Sequence, residues 1–117
     1  MSKIKIYNLE ERTYVFARAC RKLVKSLPKT ISNVEDGRQL VRSSGSTGAN
    51  YIEANEKLGD RDFLMRAKIA RKEAKESHYW LKLLSDMNPS SKEIIEELKT
   101  EALEIKKILS AIINKSS

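Results

Sequence analysis

The feature that most constrains this chain is a repeat of apolar residues at alternating spacings of four and three. It is clearest near the C-terminus, at Ile95, Leu98, Ala102, Ile105, Leu109 and Ile112. Because an α-helix has about 3.6 residues per turn, this spacing places the apolar side chains along one face. Only four Gly and two Pro interrupt 117 residues, so long helices are favoured. The sequence therefore predicts an all-α protein.

Three earlier segments have the same spacing. Together the patterns predict four helices, over about residues 9–27, 35–57, 61–86 and 91–114. Amphipathic helices of this length, joined by short turns, pack as an antiparallel up-down-up-down four-helix bundle. We expect a single bundle domain that spans residues 1–117.

Polar residues at the turns predict where three of the helices begin. Asn8 with Glu11, and Ser90 with Glu93, have the spacing of capping boxes, in which a side chain accepts a hydrogen bond from an unsatisfied backbone N–H. Asp60 follows a glycine and is the predicted N-cap of the third helix.

The predicted second helix contains a run of small residues over positions 43–49. Glycine is among the least favourable residues inside a helix, at a cost of about 1 kcal/mol relative to Ala. Two interpretations are open. Either the small side chains let a neighbouring helix come close, or the helix is broken here.

Residue counts bound the possible chemistry. The chain has one cysteine, Cys20, and one histidine, which excludes a disulfide framework and a thiolate or imidazole zinc site. Cys20 lies on the apolar seam of the first helix, where a thiol is unreactive. Residues 1–6 lack a long apolar region and no stretch approaches 18 apolar residues, so we expect neither export nor membrane insertion. We expect the protein to be cytoplasmic. We expect no cofactor.

The net charge of +7 is unevenly distributed. Residues 12–34 contain six Lys or Arg and no Asp or Glu. Five of these cations share the outward face of the first helix, and we call them the α1 stripe: Arg18, Arg21, Lys22, Lys25 and Lys29. Such side chains neutralise phosphates and release counterions, which predicts nucleic-acid binding. The alternative is an ordinary solvated helix face.

Charges on the third helix are mixed. Arg66, Lys68, Arg71, Lys72 and Lys75 alternate with Glu73 and Glu76. Mixed charge favours ion pairs on the helix face or between subunits over phosphate contact.

One spacing suggests catalysis. Arg71 and His78, seven residues apart on one helix face, resemble the active-site spacing of the helical ribonucleases called HEPN domains, with His as the general acid or base. A single pair arises often by chance, and Lys72 replaces the polar residue usual after that Arg. We therefore expect a protein that is not an enzyme, with a ribonuclease as the remote alternative.

A series of short motifs in fixed order carries a family resemblance. They are Leu9, Arg12-Thr13, Phe16-Ala17, Leu27-Pro28, Gln39-Leu40, Arg42-Ser43, Gly48-Ala49-Asn50-Tyr51, Glu53-Ala54, Asp62-Phe63, Lys68, Lys72-Glu73-Ala74, Glu76 and Tyr79-Trp80-Leu81. In this order they resemble the 23S rRNA intervening-sequence proteins. The resemblance implies a four-helix bundle that assembles into a homopentamer. Relatives serve as accessory proteins of diversity-generating retroelements, so RNA, DNA and a reverse transcriptase are implied partners.

Six residues within these motifs are candidates for a polar network or for contacts between subunits: Arg42, Asn50, Glu53, Glu76, Tyr79 and Trp80. Adjacent residues on a helix point about 100° apart, so Tyr79 and Trp80 cannot form one flat platform for bases. Our leading hypothesis is a non-catalytic basic oligomer that binds RNA or DNA through phosphates. The alternative is a protein-interaction scaffold, such as an accessory subunit of a reverse transcriptase.

Overall fold

The computed structural model describes residues 8–116 as an all-helical bundle. Its helices are α1 (Leu9–Ser26), α2 (Ile31–Asn55), α3 (Asp60–Met87) and α4 (Lys92–Ser116), with a 3₁₀ turn at Pro89–Ser91. The fold is the predicted antiparallel up-down-up-down four-helix bundle. α1 contacts α2 and α4, and α3 contacts the same two helices, which places α1 and α3 at opposite corners.

Two expectations concern export and membrane insertion. Residues 1–6, on which the expectation of no export signal rested, lie outside the described residues. None of the helices described over residues 8–116 combines the length and apolar character needed to span a membrane.

The apolar seams form the core, as their spacing predicts. On α1 the buried residues are Leu9, Thr13, Phe16, Cys20 and Leu23. On α4 they are Ile95, Leu98, Ala102, Ile105, Leu109 and Ile113. Ile113 therefore replaces the predicted Ile112 at the last position. A straight helix turns slightly less per residue than a strict 4-3 repeat requires, so the inward-facing position moves to a later residue along α4.

The structure corrects the predicted start of α2. The helix begins at Ile31 and not at residue 35, because Thr30 caps it: Thr30 Oγ1 accepts a hydrogen bond from the backbone N–H of Asn33 at 3.1 Å. The first turn of α2 therefore lies in the segment between residues 27 and 35, which was predicted to connect the two helices. The helix ends at Asn55, two residues before the predicted end.

Of the three predicted helix caps, one is confirmed and two are wrong. Asn8 Oδ1 accepts from the backbone N–H of Glu11 at 3.2 Å, so Asn8 is the N-cap of α1 as predicted. Asp60 is wrong as the N-cap of α3, because Gly59 occupies that position and Asp60 is already helical. The capping box at Ser90 is also wrong: Ser90 lies within the 3₁₀ turn, from which α4 continues directly.

The small residues of α2 allow close helix packing, and the helix is unbroken through residues 43–49. A Cβ atom on Gly48 would lie 2.8 Å from Thr13 Oγ1 of α1, closer than real Cβ atoms come. On the α3 side, the buried hydroxyls of Ser43 and Ser77 share a hydrogen bond of 2.8 Å. The interpretation that the small side chains let neighbouring helices pack closely is therefore confirmed, and the interpretation that the helix is broken is wrong.

Candidate nucleic-acid interface

The α1 stripe lies on the outer surface of the bundle. Arg18, Arg21, Lys22 and Lys25 are exposed because the opposite face of α1 is the buried seam. Lys29 is also exposed, but the prediction that it lies on the first helix is wrong, because α1 ends at Ser26 and Lys29 lies in the connection to α2. Within residues 8–116, none of the five forms an ion pair with a carboxylate. Arg18 lies over the ring of Tyr14, with its guanidinium carbon 5.5 Å from the ring centroid.

Arg21 differs from the other members of the α1 stripe because its guanidinium forms hydrogen bonds with backbone carbonyls. It donates hydrogen bonds to the carbonyls of Ala17 and of Val41, the second on α2, at 3.2 Å each. Its Nη2 atom lies 3.0 Å from where a Cβ on Gly45 would be. The absence of a side chain at Gly45 thus leaves room for the guanidinium to cross to α2.

A groove of about 400 Å³ runs between α1 and α2 next to the α1 stripe. Gly45, Ala49 and Ile52 line it on the α2 side, and Arg18 and Arg21 line it on the α1 side. The cations therefore border a partly apolar groove.

Of the four polar candidates Arg42, Asn50, Glu53 and Glu76, the structure brings Arg42 and Glu76 into direct contact. Arg42 Nη2 donates to Glu76 at 2.8 Å and to Glu73 at 3.2 Å, which links α2 to α3. The Glu73 side chain is only 9% exposed, so this ion pair offsets the cost of burying a carboxylate. Glu73 was not among the predicted network residues.

Asn50 and Glu53 lie apart from this ion-pair network. Asn50 donates to the backbone carbonyl and the hydroxyl of Ser46 at 2.9 Å each, both within α2. Glu53 is exposed. The network thus consists of Arg42 with two carboxylates of α3, inside one chain.

Tyr79 and Trp80 form an edge-to-face pair, with ring centroids 5.0 Å apart and planes at 72°. Trp80 is partly buried against the core, and its indole Nε1 has no hydrogen-bond partner among residues 8–116. Tyr79 is 54% exposed. Tyr79 is therefore the aromatic ring of the pair that is available to a ligand.

The proposed catalytic pair lies along the α4 side of α3. Arg71 Nη1 donates to Ser110 Oγ of α4 at 3.3 Å. Burial lowers the pKa of His78, and the positive charges of Lys99 and Lys82 lower it further. The imidazole is thus neutral at neutral pH and is able to accept a proton. No group of three or more His, Cys, Asp or Glu side chains within residues 8–116 is placed to bind a metal ion.

Sequence reasoning missed two long-range contacts. Asn33 and Asn88 exchange side-chain hydrogen bonds at 2.9 and 2.8 Å, and their remaining amide hydrogens go to the carbonyls of Pro28 and Leu84. This buried pair joins the start of α2 to the end of α3.

The second missed contact joins the first helix to the last. Arg12 binds both oxygens of Glu101, at 2.6 and 2.9 Å, and Glu101 raises the pKa of Arg12. In both contacts the partners lie 55 or more residues apart along the chain. A single sequence carries no signal for such pairs.

The fold and the exposed cations define a class: small, basic, antiparallel four-helix-bundle proteins. A family profile described as 23S rRNA-intervening sequence protein matches residues 5–111, so the chain belongs to that family, as the motif resemblance predicted. It is also similar to a solved structure from Bacteroides thetaiotaomicron, described as a protein with unknown function from the S23 ribosomal protein family. The two are 31% identical with a TM-score of 0.78, over 89% of this chain and 96% of that chain. No curated protein matches the chain.

Proposed function

We propose that this protein is a non-catalytic, cytoplasmic scaffold that oligomerises and binds RNA or DNA through phosphate contacts. The observation that carries the proposal is the α1 stripe, whose five exposed cations have no carboxylate partner within residues 8–116. Cations that no carboxylate neutralises can pair with phosphates, and binding releases condensed counterions. The family description, which refers to intervening sequences of 23S rRNA, supports a nucleic-acid context.

Contact with the α1 stripe is expected to be largely independent of sequence. α1 rises about 10 Å from Arg18 to Lys25, roughly the axial rise of three base pairs. Lys side chains are flexible point charges, which suits backbone contact better than readout of base edges.

The proposal includes assembly into the homopentamer implied by the family. Five copies of a +7 chain would give one particle a charge of +35, which attracts polyanions strongly. Exposed apolar side chains such as Leu58 (95%) and Ile31 (85%) are consistent with self-association. Light scattering should give about five times 13.4 kDa, or about 67 kDa. A mass of 13.4 kDa at micromolar concentration would contradict the pentamer.

The nucleic-acid proposal is tested by changing four members of the α1 stripe, Arg18, Lys22, Lys25 and Lys29, to Glu. Arg21 is retained because it also holds α1 against α2. We expect affinity for duplex DNA and structured RNA to fall at least tenfold. The slope of log affinity against log salt should decrease by about 0.9 for each lost phosphate contact.

The matched control changes four exposed cations on other helices to Glu: Arg61, Lys92, Lys107 and Lys115. Both variants have the same net charge. If both lose affinity and salt dependence equally, binding reflects net charge alone and the α1 stripe is not the site.

The second candidate function is an accessory subunit that binds a protein, such as a reverse transcriptase. The observation that favours it is the number of large apolar side chains at the surface, with Tyr14, Ile52, Met65 and Met87 all at least 45% exposed. Co-purification with the enzyme that survives nuclease treatment supports this alternative. Loss of the partner on nuclease treatment supports nucleic-acid binding.

A further inference from the structure

α3 carries a second cationic surface, because its two central carboxylates face α2 and most of its lysines and arginines face elsewhere. Glu73 and Glu76 both bind Arg42, which draws the carboxylates toward α2. Successive residues turn by about 100°, so Lys68, Arg71, Lys75 and Lys82 point about 140–180° away from Glu73, and Lys72 points about 100° away. They form what we call the α3 basic face: Lys68, Arg71, Lys72, Lys75 and Lys82.

None of these five cations forms an ion pair within the described part of the chain, residues 8–116. The pairs expected from the mixed sequence are therefore missing on this side of α3. Arg71 makes one neutral hydrogen bond, to Ser110 Oγ of α4 at 3.3 Å. Four turns of α3 thus present positive charge without compensation.

α4 adds a wall to the α3 basic face. A hollow of about 390 Å³ is lined by Lys68, Arg71, Lys72 and Lys75 of α3 and by Lys106 and Ser110 of α4. Among residues 8–116, no carboxylate lines this hollow. Converging like charges repel one another, and a bound anion would remove that repulsion.

An exposed aromatic ring continues the same surface. A neighbouring hollow shares Lys72 and Lys75 with the first and adds Tyr79, Trp80, His78, Lys82 and Glu76. The edge-to-face contact with Trp80 supports the Tyr79 ring, which remains 54% exposed. The carboxylate of Glu76 is already bound to Arg42. The surface therefore combines cations with a supported aromatic ring.

We propose that the α3 basic face and Tyr79 bind a single nucleic-acid strand, with phosphates along the cations and an unpaired base stacked on Tyr79. Stacking needs an exposed base, which a duplex does not offer, and cations interleaved with aromatic rings are typical of single-strand sites. α3 rises about 21 Å from Lys68 to Lys82, enough for a strand of roughly four nucleotides. The inference shares with the proposed function the premise that the protein binds nucleic acid, but it uses a different helix and a different form of the ligand.

The experiment measures binding of a labelled oligothymidine of ten nucleotides, and of a duplex of equal length, to the full chain. Tyr79→Leu keeps an apolar side chain but removes the ring, and we expect single-strand affinity to fall about 5- to 100-fold with an unchanged salt slope. Tyr79→Phe should retain binding. Changing Lys68, Lys72, Lys75 and Lys82 to Gln should reduce the single-strand salt slope by about 0.7 for each lost contact.

The outcomes separate this inference from the proposed function. Single-strand binding should survive in the variant with four Glu in the α1 stripe, even though that variant loses duplex binding. If Tyr79→Leu binds the oligothymidine as well as the unchanged chain does, the inference is overturned while duplex binding through the α1 stripe stands.

Two further outcomes would also overturn the inference. A poly-glutamate peptide that competes as well as the oligothymidine would assign the surface to an acidic protein segment. A changed mass in light scattering for the Gln variant would assign the surface to a contact between copies of the chain.

Discussion

Cys20 shows how position within the bundle decides the chemistry of a single residue. The side chain is fully buried on the inner face of α1, and burial raises the pKa of its thiol to about 12. Only the thiolate is nucleophilic, so a protonated, buried thiol is inert. The sequence interpretation of Cys20 as a seam residue is confirmed by this burial.

Thiol labelling tests that conclusion. At pH 8 a thiol with a pKa of about 12 is almost wholly protonated, so its thiolate fraction is on the order of 10²- to 10³-fold lower than in the unfolded chain. We expect a thiol reagent to label the native protein at least that much more slowly than the protein in denaturant. Rapid labelling without denaturant would show that Cys20 is accessible in the native state.

His78 should lower the stability of the folded protein at acidic pH. Its pKa is lowered in the folded chain by burial and then by Lys99, Lys82 and Lys106, with Glu96 opposing them. The unfolded chain therefore binds the proton more readily, and stability is lost as the pH falls below about 6.5. His78→Gln should lose less melting temperature between pH 7.5 and pH 5 than the unchanged protein. Parallel pH profiles for the two proteins would contradict the lowered pKa.

At the scale of the helices, the periodicity of apolar residues predicted the buried seams and most of the helix bounds, because both depend on residues close together in the sequence. The seams follow from 3.6 residues per turn, and α3, expected over residues 61–86, is observed at Asp60–Met87. The predicted start of α2 is too late because the prediction treats residues 29–33 as a polar turn, whereas Thr30 caps the helix within that segment. The sequence left open whether the small residues of α2 meant close packing or a break, since the answer depends on Thr13 in another helix.

The candidate site was less predictable than the helices. The outward direction of Arg18, Arg21, Lys22 and Lys25 follows from the seam opposite them, as the sequence predicted, whereas Lys29 lies beyond the end of α1. The side of α3 to which Glu73 and Glu76 turn depends on Arg42, which lies over 30 residues away along the chain. The α3 basic face therefore emerges only when helix faces are assigned in three dimensions.

Two glycine substitutions test the helix packing. Gly48→Ala would place a Cβ 2.8 Å from Thr13 Oγ1 and force α1 away from α2. We expect the free energy of unfolding to fall by about 1–2 kcal/mol in denaturant titration, despite a gain in helix propensity.

The matched control is Gly59→Ala, at a position where a Cβ meets nothing within 4 Å and the backbone is extended, with φ of 169°. This change should alter stability by less than about 0.5 kcal/mol. Equal effects of the two substitutions would contradict close packing at Gly48.

For the whole molecule, the arrangement of the helices keeps the two basic surfaces apart. α1 and α3 each contact α2 and α4, so the α1 stripe and the α3 basic face lie at opposite corners of the bundle. A straight duplex on one surface therefore cannot reach the other on the same chain. Under the proposals above, one protein molecule would hold a duplex on one side and a single strand on the other.

Assembly should make the salt dependence of duplex binding exceed what one chain can supply. The variant with four Glu in the α1 stripe removes four cations per chain, which accounts for a slope change of at most about 3.6 if one chain touches the duplex. If an assembly of about 67 kDa presents the α1 stripes of two copies to the same duplex, we expect a larger change, about 7. The measurement is a salt titration of duplex binding by the unchanged chain and by the variant with four Glu in the α1 stripe. Both are titrated at concentrations where light scattering shows the assembly. A change of 3.6 or less under those conditions would mean that each duplex is held by a single copy, and that assembly contributes charge at a distance rather than a second contact surface.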